Sequence, residues 1–140
     1  MKLAAIQFFS LLFTALALAP AMAHLLALPH KIGLARDDYF IVQQIYAGWS
    51  LLGIVVLGAL VSTFALALVL WEGNAGQFKL ALTAFLCLLA TQALFWTFTF
   101  PANKQTGNWT TMPANWDVLR TQWEYSHAAS AVLNLIALVV

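Results

Sequence analysis

Residues 39–71 read YFIVQQIYAGWSLLGIVVLGALVSTFALALVLW and contain no Asp, Glu, Lys or Arg. A helix needs about 20 mostly apolar residues to cross a bilayer, so this stretch is longer than one crossing requires. Further uncharged stretches run from Leu3 to Leu28, from Leu80 to Ala102 and from Tyr125 to Val140. We therefore predict an all-α chain that forms an integral membrane four-helix bundle, with a single transmembrane domain over residues 1–140.

The four predicted spans are joined by links of unequal length. The spans cover approximately residues 3–28, 42–71, 78–102 and 118–140. The fourth begins upstream of its apolar stretch, because Asn115 is a good N-cap and Asp117 suits the first turn of a helix. Glu72 to Gln77 is a short polar turn. The two longer links, Pro29 to Arg36 and Asn103 to Asn115, then lie together on the opposite side of the membrane.

The composition fits a multi-pass membrane protein whose main partner is the lipid bilayer. Only 8% of the 140 residues are charged, against about 25% in soluble domains. The net charge is +1 and no basic cluster exists, so nucleic acid is excluded as a partner. Cys87, the one cysteine, sits in an apolar stretch as a small hydrophobe.

The N-terminus also resembles a signal peptide, because Met1-Lys2 and an apolar stretch precede Ala21-Met22-Ala23. We interpret it as a retained first span. Positive-inside counting puts the long links in the cytoplasm, whereas the signal-like start puts the N-terminus there, so both orientations stay open.

Polar and small residues form stripes on two of the predicted helices. Their spacings of three and four residues put each stripe on one helix face. The first helix carries Gln7, Ser10, Thr14, Ala17, Ala21 and His24; the fourth carries Trp123, His127, Ser130 and Asn134. Both stripes bring a histidine towards the side of the long links, where Asn103, Arg120 and Glu124 also lie.

Three chemistries are open for this cluster. Glu124 and His127 form a Glu-x-x-His pair, to which His24 or His30 could add a ligand for a single metal ion. Haem ligation by His24 and His127 is the second chemistry. The third needs no cofactor: a histidine oriented by Glu124 or Arg120 takes a proton from an acidic carbon of a lipophilic substrate.

Each of these residues also has a purely structural interpretation. Arg120 and Glu124 are four residues apart and would form a plain surface ion pair. His30-Lys31 would mark a loop at the lipid headgroups. Trp109 and Trp116 would belong to an interfacial aromatic belt, whereas Trp123 lies on the polar stripe.

The segments Phe98-Thr99-Phe100-Pro101-Ala102-Asn103 and Leu119-Arg120-Thr121-Gln122-Trp123-Glu124-Tyr125-Ser126-His127-Ala128 resemble a known family. It is the anthrone-oxygenase-like family of small four-helix membrane proteins. The segments His24 to Ile32 and Gln43 to Trp49 resemble its bacterial branch, whose function is unknown, so the resemblance implies a bacterial inner-membrane location. For the anthrone-oxidising members it implies oxygenation of an aromatic polyketide without metal or flavin, started by a histidine that removes a proton. His127 matches the family's motif, with Trp123 and Asn103 beside it.

The leading hypothesis is a cofactor-free, oxygenase-like or lipophile-binding membrane protein. His127 would be the base, with Asn103 and Arg120 as orienting groups. The substrate would contact His24, Trp123, Trp49 and Phe100. The rival hypothesis is a non-enzymatic accessory subunit of a larger membrane complex. A single metal ion, with Glu124, His127 and His24 as candidate ligands, or a haem remains the alternative to a cofactor-free site.

Overall fold

The computed structural model describes residues 2–140, so Met1 of the signal-like start lies outside the described residues. This part of the chain is about 85% helical and contains no strand, so it is all-α as predicted. The α-helices are α1 (Lys2–Lys31), α2 (Arg36–Gln43), α3 (Gly53–Leu70), α4 (Ala75–Leu94), α5 (Phe100–Gln105) and α6 (Trp116–Val139).

Three of the helical segments are long and apolar enough to cross a membrane. They are Leu3–Lys31, Trp49–Leu70 and Ala75–Gln105. The expected fourth span, α6, is not among them, and it carries Asp117, Arg120 and Glu124 near its start. The long helices pack in a cycle, because α1 contacts α3 and α6, and α4 contacts the same two helices.

The helices bury small side chains and expose large ones. On α1 the buried residues are Ser10, Thr14, Ala17, Ala21, His24 and Lys31; on α3 they are Ala59, Thr63, Ala67 and Leu70; on α4 they are Ala81, Ala84, Leu88 and Thr91. The outer surface carries Leu51, Ile54 and Leu57, which are 61 to 73% exposed. Small residues let helix backbones approach closely, and large outward-facing apolar side chains suit a lipid environment.

The second predicted span is interrupted. We expected it to run without a break from residue 42, but α2 ends at Gln43 and short 3-10 turns follow at Gln44–Tyr46 and Trp49–Leu52. Between these turns Gly48 has φ +83°, a left-handed conformation that favours glycine. The apolar helical segment therefore starts at Trp49 and continues as α3 from Gly53, and α2 can fold back over the end of the other helices.

The third predicted span ends later than expected, at Gln105 instead of residue 102, and contains a π-helical turn over Phe95–Thr99. Pro101 lies two residues after the end of this turn, and a proline inside a helix removes a backbone donor and crowds the preceding turn. The wider π turn accommodates this change. The Phe98 carbonyl accepts a hydrogen bond from the Gln122 side chain at 2.7 Å, which ties this turn to α6.

An aromatic core covers the end of the helices where α2 packs. It consists of the buried residues Tyr39, Phe40, Ala102, Trp109, Leu119 and Trp123, with Leu34, Tyr46 and Trp116 packed against them. The assignment of Trp109 to an interfacial belt is therefore wrong, because its side chain is buried. Asn115 is the N-cap residue of α6, as predicted, but its side chain makes no capping hydrogen bond.

We expect Gly58→Ala to destabilise the fold, because a Cβ there would lie 2.7 Å from the Phe13 ring. Such overpacking costs about 1–3 kcal/mol. Gly53→Ala is the matched control, since nothing lies within 4 Å of a Cβ at that position. Thermal unfolding in detergent should show a lower midpoint for the first variant only. Equal midpoints would mean that α1 and α3 do not meet closely at Gly58.

Candidate functional site

His24 and His127 lie against each other at the end of the helices covered by α2. Their ring centroids are 4.1 Å apart and the ring planes differ by 23°, so the imidazoles are stacked. His24 comes from the small-residue face of α1 and is buried, whereas His127 on α6 is only partly buried. Nδ1 of His24 has no hydrogen-bond partner among the described residues. The two polar stripes therefore meet at their histidines.

Three larger rings surround this pair. The Trp123 ring lies edge-on to both, with centroids 4.9 Å from His24 and 4.2 Å from His127. Tyr46 and Trp49 contact His24 from the interrupted segment before α3, at 4.4 and 5.4 Å. The imidazoles thus sit in a mostly apolar, aromatic environment, and the ring contacts fill the space between them.

Asn103 contributes to the site through tryptophan side chains. Its Oδ1 accepts hydrogen bonds from Nε1 of Trp123 at 2.8 Å and from Nε1 of Trp109 at 3.2 Å. Both indoles are buried, and a buried N–H without an acceptor is costly. One amide therefore fixes the orientation of the ring that packs on both histidines.

Arg120 and Phe100 make their contacts elsewhere. The Arg120 guanidinium donates to the Leu34 carbonyl at 2.8 Å and lies over the Trp116 ring, 4.6 Å from its centroid. Phe100 is 41% exposed and packs on Trp96 with centroids 5.0 Å apart. The structure therefore brings His24, His127, Trp123, Trp49 and Asn103 together, but neither Arg120 nor Phe100 packs with them.

Glu124 is fully buried and pairs with Lys31, which the sequence assigned to a headgroup loop. Its Oε1 lies 2.9 Å from Nζ of Lys31 and accepts a hydrogen bond from the Tyr39 hydroxyl at 2.9 Å. The Gln43 side chain in turn donates to that hydroxyl. The predicted surface pair between Arg120 and Glu124 is therefore wrong. Burial, and then the charge of Glu124, raise the pKa of Tyr39 well above its usual value, so the hydroxyl stays a donor.

Lys31 is buried at the end of α1, and its placement in a headgroup loop is also wrong. Its ammonium lies 4.7 Å from the centroid of Tyr46 and 4.9 Å from that of Trp123, within the range of a cation–π contact. The contact with Glu124 is close enough for an ion pair but lacks hydrogen-bond alignment. The sequence did hold a signal, because Lys31 is seven residues after His24 and so continues the same helix face.

The candidate metal ligands are not gathered into one site. The Glu124 carboxylate faces Lys31 and Tyr39, whereas His24 and His127 stack on each other. Within residues 2–140 no three His, Cys, Asp or Glu side chains are grouped so that they could hold a metal ion. The third histidine, His30, is exposed.

An open apolar groove of about 690 Å³ adjoins the histidine cluster. It is lined by Ala19, Pro20, Ala23, Ala47, Gly48, Trp49, Leu51 and Leu52. It lies between the interrupted helical segment before α3 and small side chains of α1. Trp49 lines the groove and also contacts His24, so this indole stands between the groove and the histidine pair.

Comparisons of the chain with protein-family models, with curated proteins and with solved structures found no significant match.

We expect Asn103→Leu to lower the thermal unfolding midpoint strongly, because it leaves two buried indole N–H groups without an acceptor. Each such group costs about 1–3 kcal/mol. Asn103→Asp keeps an acceptor oxygen and should recover most of the loss. Asn115→Ala is the control, since that side chain makes no capping bond. If Asn103→Asp is as unstable as Asn103→Leu, the two indole bonds do not stabilise the site.

Proposed function

We propose that this chain is a multi-pass protein of a bacterial inner membrane, built as a four-helix bundle with α6 as the fourth span. Three apolar helical segments support the membrane location. The cycle of contacts among α1, α3, α4 and α6 supports the bundle. The small interior side chains and the large outer ones support lipid as the surrounding solvent.

Within this bundle, we propose that the histidine cluster is a cofactor-free, oxygenase-like site for a lipophilic aromatic molecule. The observation that carries the proposal is the contact between His24 and His127 inside a set of aromatic rings. The apolar groove beside Trp49 supports access from the lipid side. The resemblance to the anthrone-oxygenase-like family supports the type of reaction.

The proposed reaction converts the methylene group of an anthrone into a carbonyl group. A histidine removes one proton from the methylene carbon, and the carbanion transfers electrons to dioxygen. One oxygen atom becomes the new carbonyl oxygen, and the other leaves as water with both methylene hydrogens. The sum is one anthrone plus one dioxygen giving one anthraquinone plus one water.

The proposed roles follow from how accessible each group is. His127 is the base, because this residue is less fully buried than His24. His24 is buried behind it, and its free Nδ1 suits it to share the proton. Trp123 holds both imidazoles, and Asn103 is a positioning residue that acts through Trp123. Arg120 and Phe100 have no contact that supports a role at the reacting carbon.

The test is oxygen consumption with anthrone by the protein in lipid nanodiscs. We expect His127→Asn to lower the rate by about 10²- to 10⁴-fold, the usual contribution of a general base. His30→Asn is the matched control, because that exposed histidine lies at the same end of α1, and it should keep the wild-type rate. A thermal unfolding midpoint close to wild type must accompany the loss. Equal rates for His127→Asn and wild type would refute the assignment of the base.

The rival function, an accessory subunit, is favoured by a different observation. The rings of His24, His127 and Trp123 contact each other directly, as they would in a site that only stabilises the bundle. A wild-type protein that consumes no oxygen and copurifies in fixed stoichiometry with larger membrane proteins would support this rival.

The metal and haem alternatives are tested on the same purified protein. We expect elemental analysis to find less than one equivalent of bound transition metal and the visible spectrum to show no haem band. The reason is that Glu124 is engaged by Lys31 and Tyr39 instead of facing the histidines. One equivalent of a metal, lost on His127→Asn, would replace the cofactor-free proposal with a metal site.

A further inference from the structure

Lys31 and His24 lie against the same two aromatic rings. Tyr46 is 4.4 Å from His24 and 4.7 Å from the Lys31 ammonium, and Trp123 is 4.9 Å from each. Both residues come from the inner face of α1 and both are buried. The same two rings therefore contact both a proton acceptor, His24, and a fixed positive charge, Lys31.

The polar groups around these rings lack some of their hydrogen-bond partners in the described part of the chain. Lys31 and Arg120 are cations on this aromatic core, and Glu124 is the one buried carboxylate among the described residues. The acidic residues Asp37, Asp38 and Asp117 are exposed, where solvent screens them. Nε of Arg120 and Oε2 of Glu124 have no hydrogen-bond partner within residues 2–140, and the Lys31 ammonium has no aligned acceptor there. Of the described residues, the one cation buried inside this end, Lys31, is therefore charge-paired with Glu124 but lacks an acceptor aligned for a hydrogen bond, whereas Arg120 is only partly buried.

A buried ammonium without an aligned acceptor favours a ligand that brings a negatively charged acceptor, because charges interact strongly where water is excluded. The aromatic rings and the apolar groove favour a flat, lipophilic body. We propose that this site binds a lipophilic aromatic acid as its anion and that Lys31 is the cation that selects the anion. The inference rests on the proposed function, since it takes the histidine cluster as the ligand site.

The test compares two ligands that differ in charge alone. Anthracene-9-carboxylate is an anion, and anthracene-9-carboxamide is its neutral counterpart of nearly equal shape. Each is titrated against the protein in nanodiscs, and partition into empty nanodiscs is subtracted. We expect the carboxylate to bind about tenfold more tightly than the carboxamide, from one charge contact in a partly buried site.

Two substitutions should move the affinity for the carboxylate in opposite directions. Lys31→Met removes the cation and should weaken it about tenfold, whereas Glu124→Gln removes the competing carboxylate and should strengthen it severalfold. The affinity for the carboxamide should stay unchanged in both. A purely structural role for the pair would instead weaken both ligands in both variants. Lys104→Met, at an exposed lysine of the same end, should alter neither affinity.

Lys31→Met leaves Glu124 buried without its partner and can fail to fold, but the wild-type comparison and Glu124→Gln carry the test without it. Equal affinity for the two ligands in the wild-type protein would overturn the choice of an anion. If Lys31→Met folds, an unchanged preference for the carboxylate would overturn the role of Lys31. Neither result touches the oxygen-consumption assay, so the proposed function would stand. Absence of binding by both ligands would overturn the inference and count against the proposed site as well.

Discussion

The ion pair between Lys31 and Glu124 is the contact on which one end of this protein depends. It joins the last residue of α1 to α6 with a separation of 2.9 Å, and both side chains are almost fully buried. Burying two charges costs several kcal/mol for each ion unless further polar contacts compensate. Tyr39 supplies one such contact by donating to Glu124. Because Tyr39 belongs to α2, the same network also holds α2 over the ends of the longer helices.

The site also depends on how closely the helices approach. Lipid is as apolar as leucine, so helices in a bilayer associate through close packing and hydrogen bonds and not through a hydrophobic driving force. The buried faces of α1 and α3 are rich in Ala, Ser and Thr, which permits that approach. The hydroxyls of Thr99 and Ser126 are 2.8 Å apart across the interface with α6. With the backbones this close, His24 and His127 can stack directly.

The sequence predicted those parts of the fold that depend on periodicity. The spacing of Ser10, Thr14 and Ala21 gave the inner face of α1, and the stripes brought His24 and His127 to the same end. It could not give the partner of Glu124, because a pair between residues 93 positions apart is set by tertiary packing. The helical spacing of four residues favoured Arg120 as the partner of Glu124 instead.

The sequence predicted one continuous span over residues 42–71 and so missed the helix interruption before α3. The absence of charged residues across 39–71 favoured one continuous span, although Gln43, Gln44 and Gly48 lie where the helix is interrupted.

The histidine pair has unlike surroundings on its two sides. Trp49 separates it from an apolar groove, and Trp123 separates it from the Lys31 ammonium. In the proposed membrane bundle, a molecule that entered along the groove would leave lipid on one side and meet a fixed cation beyond the rings on the other. This arrangement, with apolar surroundings on one side and a cation on the other, does little for a neutral hydrocarbon. It stabilises any ligand that acquires negative charge at its inner end. A network needed to hold α2 in place would thereby also provide the charge that deprotonation of a ligand requires.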